Sequence, residues 1–356
     1  MTRRLRILVV DHAPFFGGVE AMIGDLIGAV DQERFELILA IDSGSKLEFR
    51  GAEVRRTPLP RLRNNPAAMF WAGAQLARRA RGVDLLVTAT ARAHAMGAVA
   101  ARLANIPLIW HLGDDTFPMP VARALGGIPA RVIAVSSFIA GRCSPSPEKT
   151  IVVPNGLPDQ GTALPGARAK LRAQFGFAES STVAVLIARM VRWKGHAVFA
   201  KAIKNSRIKG LIVGGEDESQ GELGGKGLRA ELDSLGADIQ ILGQRSNIGN
   251  ILTASDIFVH ASIRPEPFGR AVVEAMLAGV PVVATRAGAI PEVVGHAGRL
   301  VPAGDVEALA AALEMDAGTR NRLGREGRER ALEKFELKTI TRRLEAVWVE
   351  TIMGRG

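Results

Sequence analysis

The sequence predicts an α/β protein: two doubly wound, Rossmann-like domains joined by one linker. Three observations predict it. Short apolar runs alternate with helical patterns from end to end, the signature of parallel sheets covered by helices. Those runs are apolar at nearly every position, as strands buried on both faces must be. The chain has 356 residues, and single cores stop growing at roughly 250–300 residues.

The elements follow in order. Arg6–Val10 reads as a buried strand, then a glycine-rich turn and a helix from about Val19 to Val30. Phe35–Ile41 is the next strand, and Pro66–Arg81 a helical stretch. Leu85–Thr88, Leu108–Trp110, Val132–Val135 and Ile151–Val153 continue the first series. Val153-Pro-Asn-Gly-Leu-Pro carries turn signals and opens the linker, followed by the polar stretch Asp159–Ala163. Val183–Ala188, Gly210–Val213, Ile239–Leu242, Ile257–His260 and Val280–Ala284 form a second series. After Gly318 the sequence becomes charged and helical. Its last segment, Leu337–Met353, places Leu337, Ile340, Leu344, Val347, Trp348 and Ile352 at helical spacing. The expected division is 1–160, 161–336 and a closing helix, 337–356.

Composition narrows the function classes. Apolar residues are 47% and charged residues 23%, a globular balance that excludes a disordered chain. One cysteine, Cys143, excludes an intrachain disulfide and a thiolate metal cluster. The longest apolar stretches are broken by Arg102 and Glu274, so no spanning helix is expected, and the N-terminus lacks a signal-peptide core. A cytoplasmic protein is expected. The net charge of +10 favours anionic partners. Aromatics are 5% and no helix-turn-helix or zinc-finger spacing is present, so nucleic acid is not expected.

In open α/β sheets, ligands bind beyond the carboxyl ends of the strands. Three segments lie there. Phe16-Gly17-Gly18-Val19-Glu20 follows the first strand; paired glycines allow close backbone approach and the helix start favours anions, although a plain tight turn would look the same. It is not a dinucleotide fingerprint. Arg189 and Lys194 follow a buried strand and suit a diphosphate, one as a fork and one as a point charge; Arg192 reads as a solvated neighbour. The third is Arg264-Pro-Glu-Pro-Phe-Gly-Arg-Ala-Val-Val-Glu-Ala-Met, where a helix starts near Phe268–Gly269 and stops at Gly279. Glu274 sits inside that apolar helix and needs a partner: an ion pair with Arg270, or the two hydroxyls of a ribose.

Glu266 and Glu274, separated by seven residues, resemble the glutamate pair of the retaining GT-B glycosyltransferases of family four, glycosyltransferase group 1. Gly17-Gly18-Val19-Glu20, Val135-Ser136-Ser137, Val153-Pro-Asn-Gly156, Arg189…Lys194-Gly-His196, Leu242-Gly243 and Ile290-Pro-Glu292 match the same family in the same order. The resemblance implies two Rossmann-like domains facing across a cleft, with the closing helix crossing back to the first. It implies a nucleotide-diphosphate sugar as co-substrate, no cofactor and no metal. By likeness, Glu274 would hold the ribose and Glu266 the donor sugar. Arg189 and Lys194 would grip the diphosphate, while Phe268 and Gly269 would offer backbone N–H groups. Gly17 and Gly18 would face the reacting centre, and Gln244 and Arg245 would receive the base. His111, after Leu108-Ile109-Trp110, takes the place of a histidine near the donor sugar. Two features depart from the pattern: Ala287-Gly-Ala289 replaces a Gly-Gly pair, and Asp114-Asp115 is not a metal-binding Asp-x-Asp.

The implied activity is transfer of a sugar, with retention, to a glycan or lipid-linked acceptor hydroxyl of the envelope. Two rivals stand beside it: a nucleotide-sugar epimerase or phosphorylase on a similar scaffold, and a non-catalytic partner subunit. Arg50, Arg55, Arg56, Arg61 and Arg63 precede a helical stretch carrying Met69, Phe70, Trp71 and Leu76, then Arg78, Arg79 and Arg81. That pattern suits peripheral docking on an anionic membrane surface on the inner face, or an ordinary core helix with its aromatics packed inside.

Overall fold

The computed structural model describes residues 3–12, 17–60, 66–114, 128–143, 146–159, 166–216 and 225–354. Phe16, Arg61, Arg63 and Asp115 lie outside the described residues, as does most of the polar stretch after Asp159. The chain divides into two compact units, Met1–Pro158 with Leu337–Gly356, and Asp159–Glu336.

The first unit is built on a parallel sheet. In chain order its strands are β1 (Leu5–Asp11), β2 (Phe35–Asp42), β3 (Glu53–Thr57), β4 (Leu85–Thr88), β5 (Leu108–Leu112), β6 (Arg131–Ala134) and β7 (Thr150–Val152). Their spatial order is β3-β2-β1-β4-β5-β6-β7, so the order reverses between β1 and β4. Alternation splits the core into two layers. Ile7 and Val9 face one cluster, with Ile23 and Leu26 of helix α1 (Gly18–Ala29). Leu8 and Val10 face the other, with Leu76 of α2 (Pro66–Arg79) and Met96 of α3 (Ala91–Ala104). The closing helix, Leu337–Met353, packs into the α1 layer through Ile340, Leu344, Val347 and Trp348. Trp348 is fully buried and meets the Phe35 ring edge-on at 5.7 Å. Leu337 N–H donates to the Leu157 carbonyl at 3.0 Å, fastening the start of the helix to the end of this unit.

Helix α2 decides between the two readings of its aromatics. Ala72 and Leu76 are buried, whereas Phe70 is 58% exposed and Trp71 51%. The reading with Phe70 and Trp71 packed inside is overturned: the inner stripe runs through Ala72 and Leu76, and the two rings fall on the opposite side of the helix.

The second unit has β8 (Val183–Ile187), β9 (Lys209–Val213), β10 (Ile239–Ile241), β11 (Ile257–His260), β12 (Val282–Thr285) and β13 (Gly298–Val301), all parallel. The spatial order β10-β9-β8-β11-β12-β13 places the switch point between β8 and β11. Asp256 fixes that junction. Its carboxylate accepts Val183 N–H at 2.8 Å and pairs with the buried Arg172 at 3.0 Å. Strands β3 and β13 were not anticipated. Each lies at a sheet edge and is only half-buried, so neither presents a continuous apolar run.

Candidate active site

The loops after β8 and β11 carry the second unit's candidate residues, beside its switch point. A single helical turn, Arg192–Lys194, follows β8 and ends at Gly195. Gly195 has φ 76°, and a Cβ there would lie 1.8 Å from the Ala261 carbonyl oxygen. Only glycine lets this turn press onto the chain leaving β11. Ile263 N–H, donating to the Trp193 carbonyl at 2.8 Å, ties the two loops together. Their closeness brings Lys194 Nζ to 2.9 Å and 2.7 Å from the two carboxylate oxygens of Glu266. The same ammonium lies 4.1 Å from the centre of the Trp193 ring.

Glu266 is held from three further directions. His260 Nε2, at the end of β11, is 3.3 Å from Oε2, and Ser262 Oγ donates to the same oxygen at 3.2 Å. The Glu266 carbonyl accepts Ala289 N–H at 2.8 Å. Gly288, at φ 65°, makes that approach possible, since a Cβ there would lie 2.3 Å from the Glu266 oxygen. Ala287-Gly288-Ala289, which departs from a Gly-Gly pair, thus keeps the one glycine this contact requires. Burial pushes the Glu266 carboxyl up, but the Lys194 ammonium and His260 outweigh it and hold the group well below the usual carboxylate range. Glu266 is an anion at neutral pH.

The neighbouring positions are distributed around this centre. Gly269 caps helix Arg270–Leu277. Phe268 is buried, its ring edge-on to Phe335 at 5.7 Å. Glu274 is half-buried, and Arg270 Nε donates to its Oε1 at 3.0 Å, so the i,i+4 ion pair exists. Arg189, Gln244 and Arg245 are exposed. Arg192 pairs with Glu231, as suits a solvated basic residue.

In the first unit, Gly17 caps α1, and its N–H donates to Glu20 Oε2 at 2.7 Å. Glu20 and Asp11 are both buried. Burial, then the neighbouring Asp11 charge, raise the Glu20 carboxyl to about 7. His111 lies inside β5 rather than after it, because the strand runs to Leu112. Burial lowers its imidazole to about 4. Its Nε2 has no hydrogen-bond partner among the described residues, and it packs beside Met22, Leu26, Leu344 and Trp348. Among the described residues, no group of three or more His, Cys, Asp or Glu is placed to hold a metal ion. No described helix is long and apolar enough to cross a membrane.

Sequence reasoning missed His260, Ser262 and Thr285. None stands in a motif, and only the closure of β11 against β12 and the Glu266 loop assembles them.

Two parallel α/β sheets, with an anionic carboxylate and basic residues at a switch point, define a class of two-domain GT-B proteins. The model of the glycosyl transferases group 1 family matches residues 167–330, and that of glycosyltransferase family 4 matches residues 16–160. The chain belongs to the group 1 glycosyltransferase family. N-acetyl-alpha-D-glucosaminyl L-malate synthase of Bacillus anthracis is 30% identical over 51% of this chain and 49% of its own length. The phosphatidyl-myo-inositol mannosyltransferase of Mycobacterium leprae is 37% identical over 41% of this chain and 38% of its own. The matches therefore span half or less of those relatives. Alpha-maltose-1-phosphate synthase of Mycobacterium tuberculosis is 28% identical over 93% of this chain and 95% of its own. Among solved structures, Anabaena HepE in complex with UDP and glucose superposes with TM-score 0.86 at 25% identity, covering 98% of this chain and 100% of that one.

Proposed function

We propose that the protein is a glycosyltransferase that moves a sugar from a nucleotide-diphosphate sugar to an acceptor hydroxyl, with retention and without a metal. The observation that carries this reading is the Glu266 carboxylate, kept ionised in a buried setting by Lys194 and His260. An acceptor-only group of this kind orients sugar hydroxyls. Glu274, paired with Arg270 on the same helix, holds the ribose. Arg189 and Lys194 stabilise the leaving diphosphate, the work a metal does elsewhere. Phe268 and Gly269 supply backbone N–H groups at a helix start. Gln244 and Arg245 receive the base, Gly17 and Gly18 face the reacting centre, and His111 stands towards the donor sugar as a neutral imidazole. The acceptor hydroxyl approaches the face the diphosphate leaves, and a donor phosphate oxygen takes its proton. A glycosidase acid–base pair is not needed, since that chemistry requires one raised carboxyl and Glu266 is depressed.

The acceptor is a glycan or lipid-linked group, reached at an anionic membrane surface. Phe70 and Trp71 stand exposed on α2, near Arg78 and Arg79 in its last turn. A concavity of about 850 Å³ gathers Arg50, Arg55, Arg56, Arg78, Arg79 and Arg81 against Glu48 and Glu53. Each basic residue at such a surface contributes about 1 kcal/mol. Uridine diphosphate sugars are the first donors to try, because HepE was solved with UDP-glucose. The purified chain, given a panel of nucleotide sugars and lipid or glycan acceptors, should release nucleoside diphosphate with acceptor present. Turnover should persist in chelator. Turnover that vanishes in chelator and returns with magnesium sinks the metal-free mechanism. Vesicle co-sedimentation should require anionic lipid and fall with salt.

A further inference from the structure

Three buried polar atoms of the first unit meet no protein partner, and their residues share one cavity. His111 Nε2 in β5, Asn155 Oδ1 on the turn after β7 and Thr341 Oγ1 on the closing helix each lack a hydrogen bond among the described residues. All three residues line the same cavity, with Met22, Leu26 and Leu344 among its apolar walls. About 10 Å³ is free there, the lower limit for holding one water molecule. Gly156 lets the closing helix press in on this space. A Cβ on it would lie 2.9 Å from Ile340 Cβ and 3.0 Å from Leu337 Cα. Thr341 does not spend its hydroxyl within the helix, as Thr351 does by donating to the Val347 carbonyl at 2.7 Å. A second cavity of about 10 Å³ also touches His111, but its further walls are apolar, Val9, Val87, Ile133 and Trp348 among them, and such a space stays dry.

We propose that one structural water binds between His111, Asn155 and Thr341, and that Asn155 and Thr341 act through it as positioning residues for the His111 ring. Three partners are the usual number for a buried water. The fit does not depend on where the protons sit. Burial keeps the imidazole neutral, with one N–H and one bare nitrogen, and a water serves either by accepting or by donating. The Asn155 amide likewise has an acceptor end and a donor end, and the Thr341 hydroxyl is both donor and acceptor. The water returns to all three groups the hydrogen bonds that burial removes. It joins β5, the turn after β7 and the closing helix at one point. The consequence rests on the reading that His111 stands towards the donor sugar. The closing helix then sets the orientation of that ring as well as covering the α1 layer.

A high-resolution crystal structure of the intact wild-type chain tests the site. One ordered water should lie within about 3.2 Å of His111 Nε2, the Asn155 amide and Thr341 Oγ1. No water at that point overturns the proposal. Thr341→Val keeps the shape of the side chain and removes only the hydroxyl. Were that hydroxyl a bare buried group, the apolar replacement would raise the melting temperature. With the water bound it should lower it, and an equal or higher melting temperature contradicts the bridge. The same variant should shift the His111 ring signals in nitrogen-15 spectra of labelled histidines, assigned by their loss in His111→Gln. Unmoved signals overturn the positioning role. In turnover, Thr341→Val should cost about two- to tenfold in the wild type, the worth of one ordinary hydrogen bond, and nothing further in His111→Gln. Equal losses in both backgrounds contradict action through His111. The crystal structure, the melting and the spectra need no substrate, so their outcome stands whether or not the chain proves to use nucleotide sugars.

Discussion

Replacing Lys194 with methionine removes the ammonium that spans both oxygens of Glu266 while keeping the length of the side chain. The pair is well shielded, its side chains 16% and 13% exposed, so screening by salt is weak. Breaking a buried pair by removing one partner costs about 3–5 kcal/mol. His260 and Ser262 stay on Oε2, which favours the lower end, about 3 kcal/mol. In a unit of this size each kcal/mol moves the melting temperature by about 2–4 °C, so a drop of about 6–12 °C is expected. The loss should depend on pH. In the wild type the folded Glu266 value is depressed, so its contribution is fully present above the ordinary carboxylate value and is lost only as pH falls through the depressed folded value. In Lys194→Met, burial moves the carboxyl upward, so its contribution is lost as pH rises. The gap between the two proteins should therefore be widest near neutrality and narrow as pH falls towards about 4, the ordinary glutamate value, without closing there, because wild-type Glu266 is still ionised. Circular dichroism melting across that range checks it. A pH-independent drop of less than about 2 °C, the size of a surface pair, refutes the account of a buried, enforced carboxylate.

Three further outcomes are expected. Glu274→Ala should weaken nucleotide-sugar binding by about 1.5–3 kcal/mol, while loss of its bond to Arg270 costs the fold only about 0.3–0.5 kcal/mol; calorimetry that finds unchanged donor affinity leaves Glu274 as the helix ion pair alone. Trp348→Ala should cost the first unit about 3–5 kcal/mol, and truncation before Leu337 should expose the layer that Ile340 and Leu344 cover, seen as dye binding and lost cooperativity. Glu20 is raised to about 7, so its contribution is present below its unfolded value of 4.5 and is lost as pH rises through about 7. Glu20→Gln should flatten that slope in chemical denaturation, and an unchanged slope argues against a carboxyl raised by burial beside Asp11.

The central strands were legible because burial on both faces leaves continuous apolar runs, as in Ile7–Val10 and Val282–Ala284. The edge strands Glu53–Thr57 and Gly298–Val301 were not, since one half-exposed face breaks the run. Glu266 and Lys194 were each legible from position after a strand, but their pairing spans 72 residues and depends on Gly195 closing onto Ala261. His260 reads from sequence as the last residue of a buried strand; its role appears only when Thr285, from the next strand, completes its shell. Phe70 and Trp71 were ambiguous because a single helical stripe can be drawn through either Met69 and Leu76 or the two rings, and only packing selects one.

The central claim is that Glu266 is the group that holds the donor's sugar. Titration calorimetry with UDP-glucose and with UDP alone, on wild type and Glu266→Gln, tests it most directly. The account predicts that Glu266→Gln loses affinity for UDP-glucose by about tenfold or more and keeps its affinity for UDP. Equal affinity for UDP-glucose in both proteins, with wild-type binding intact, would contradict it.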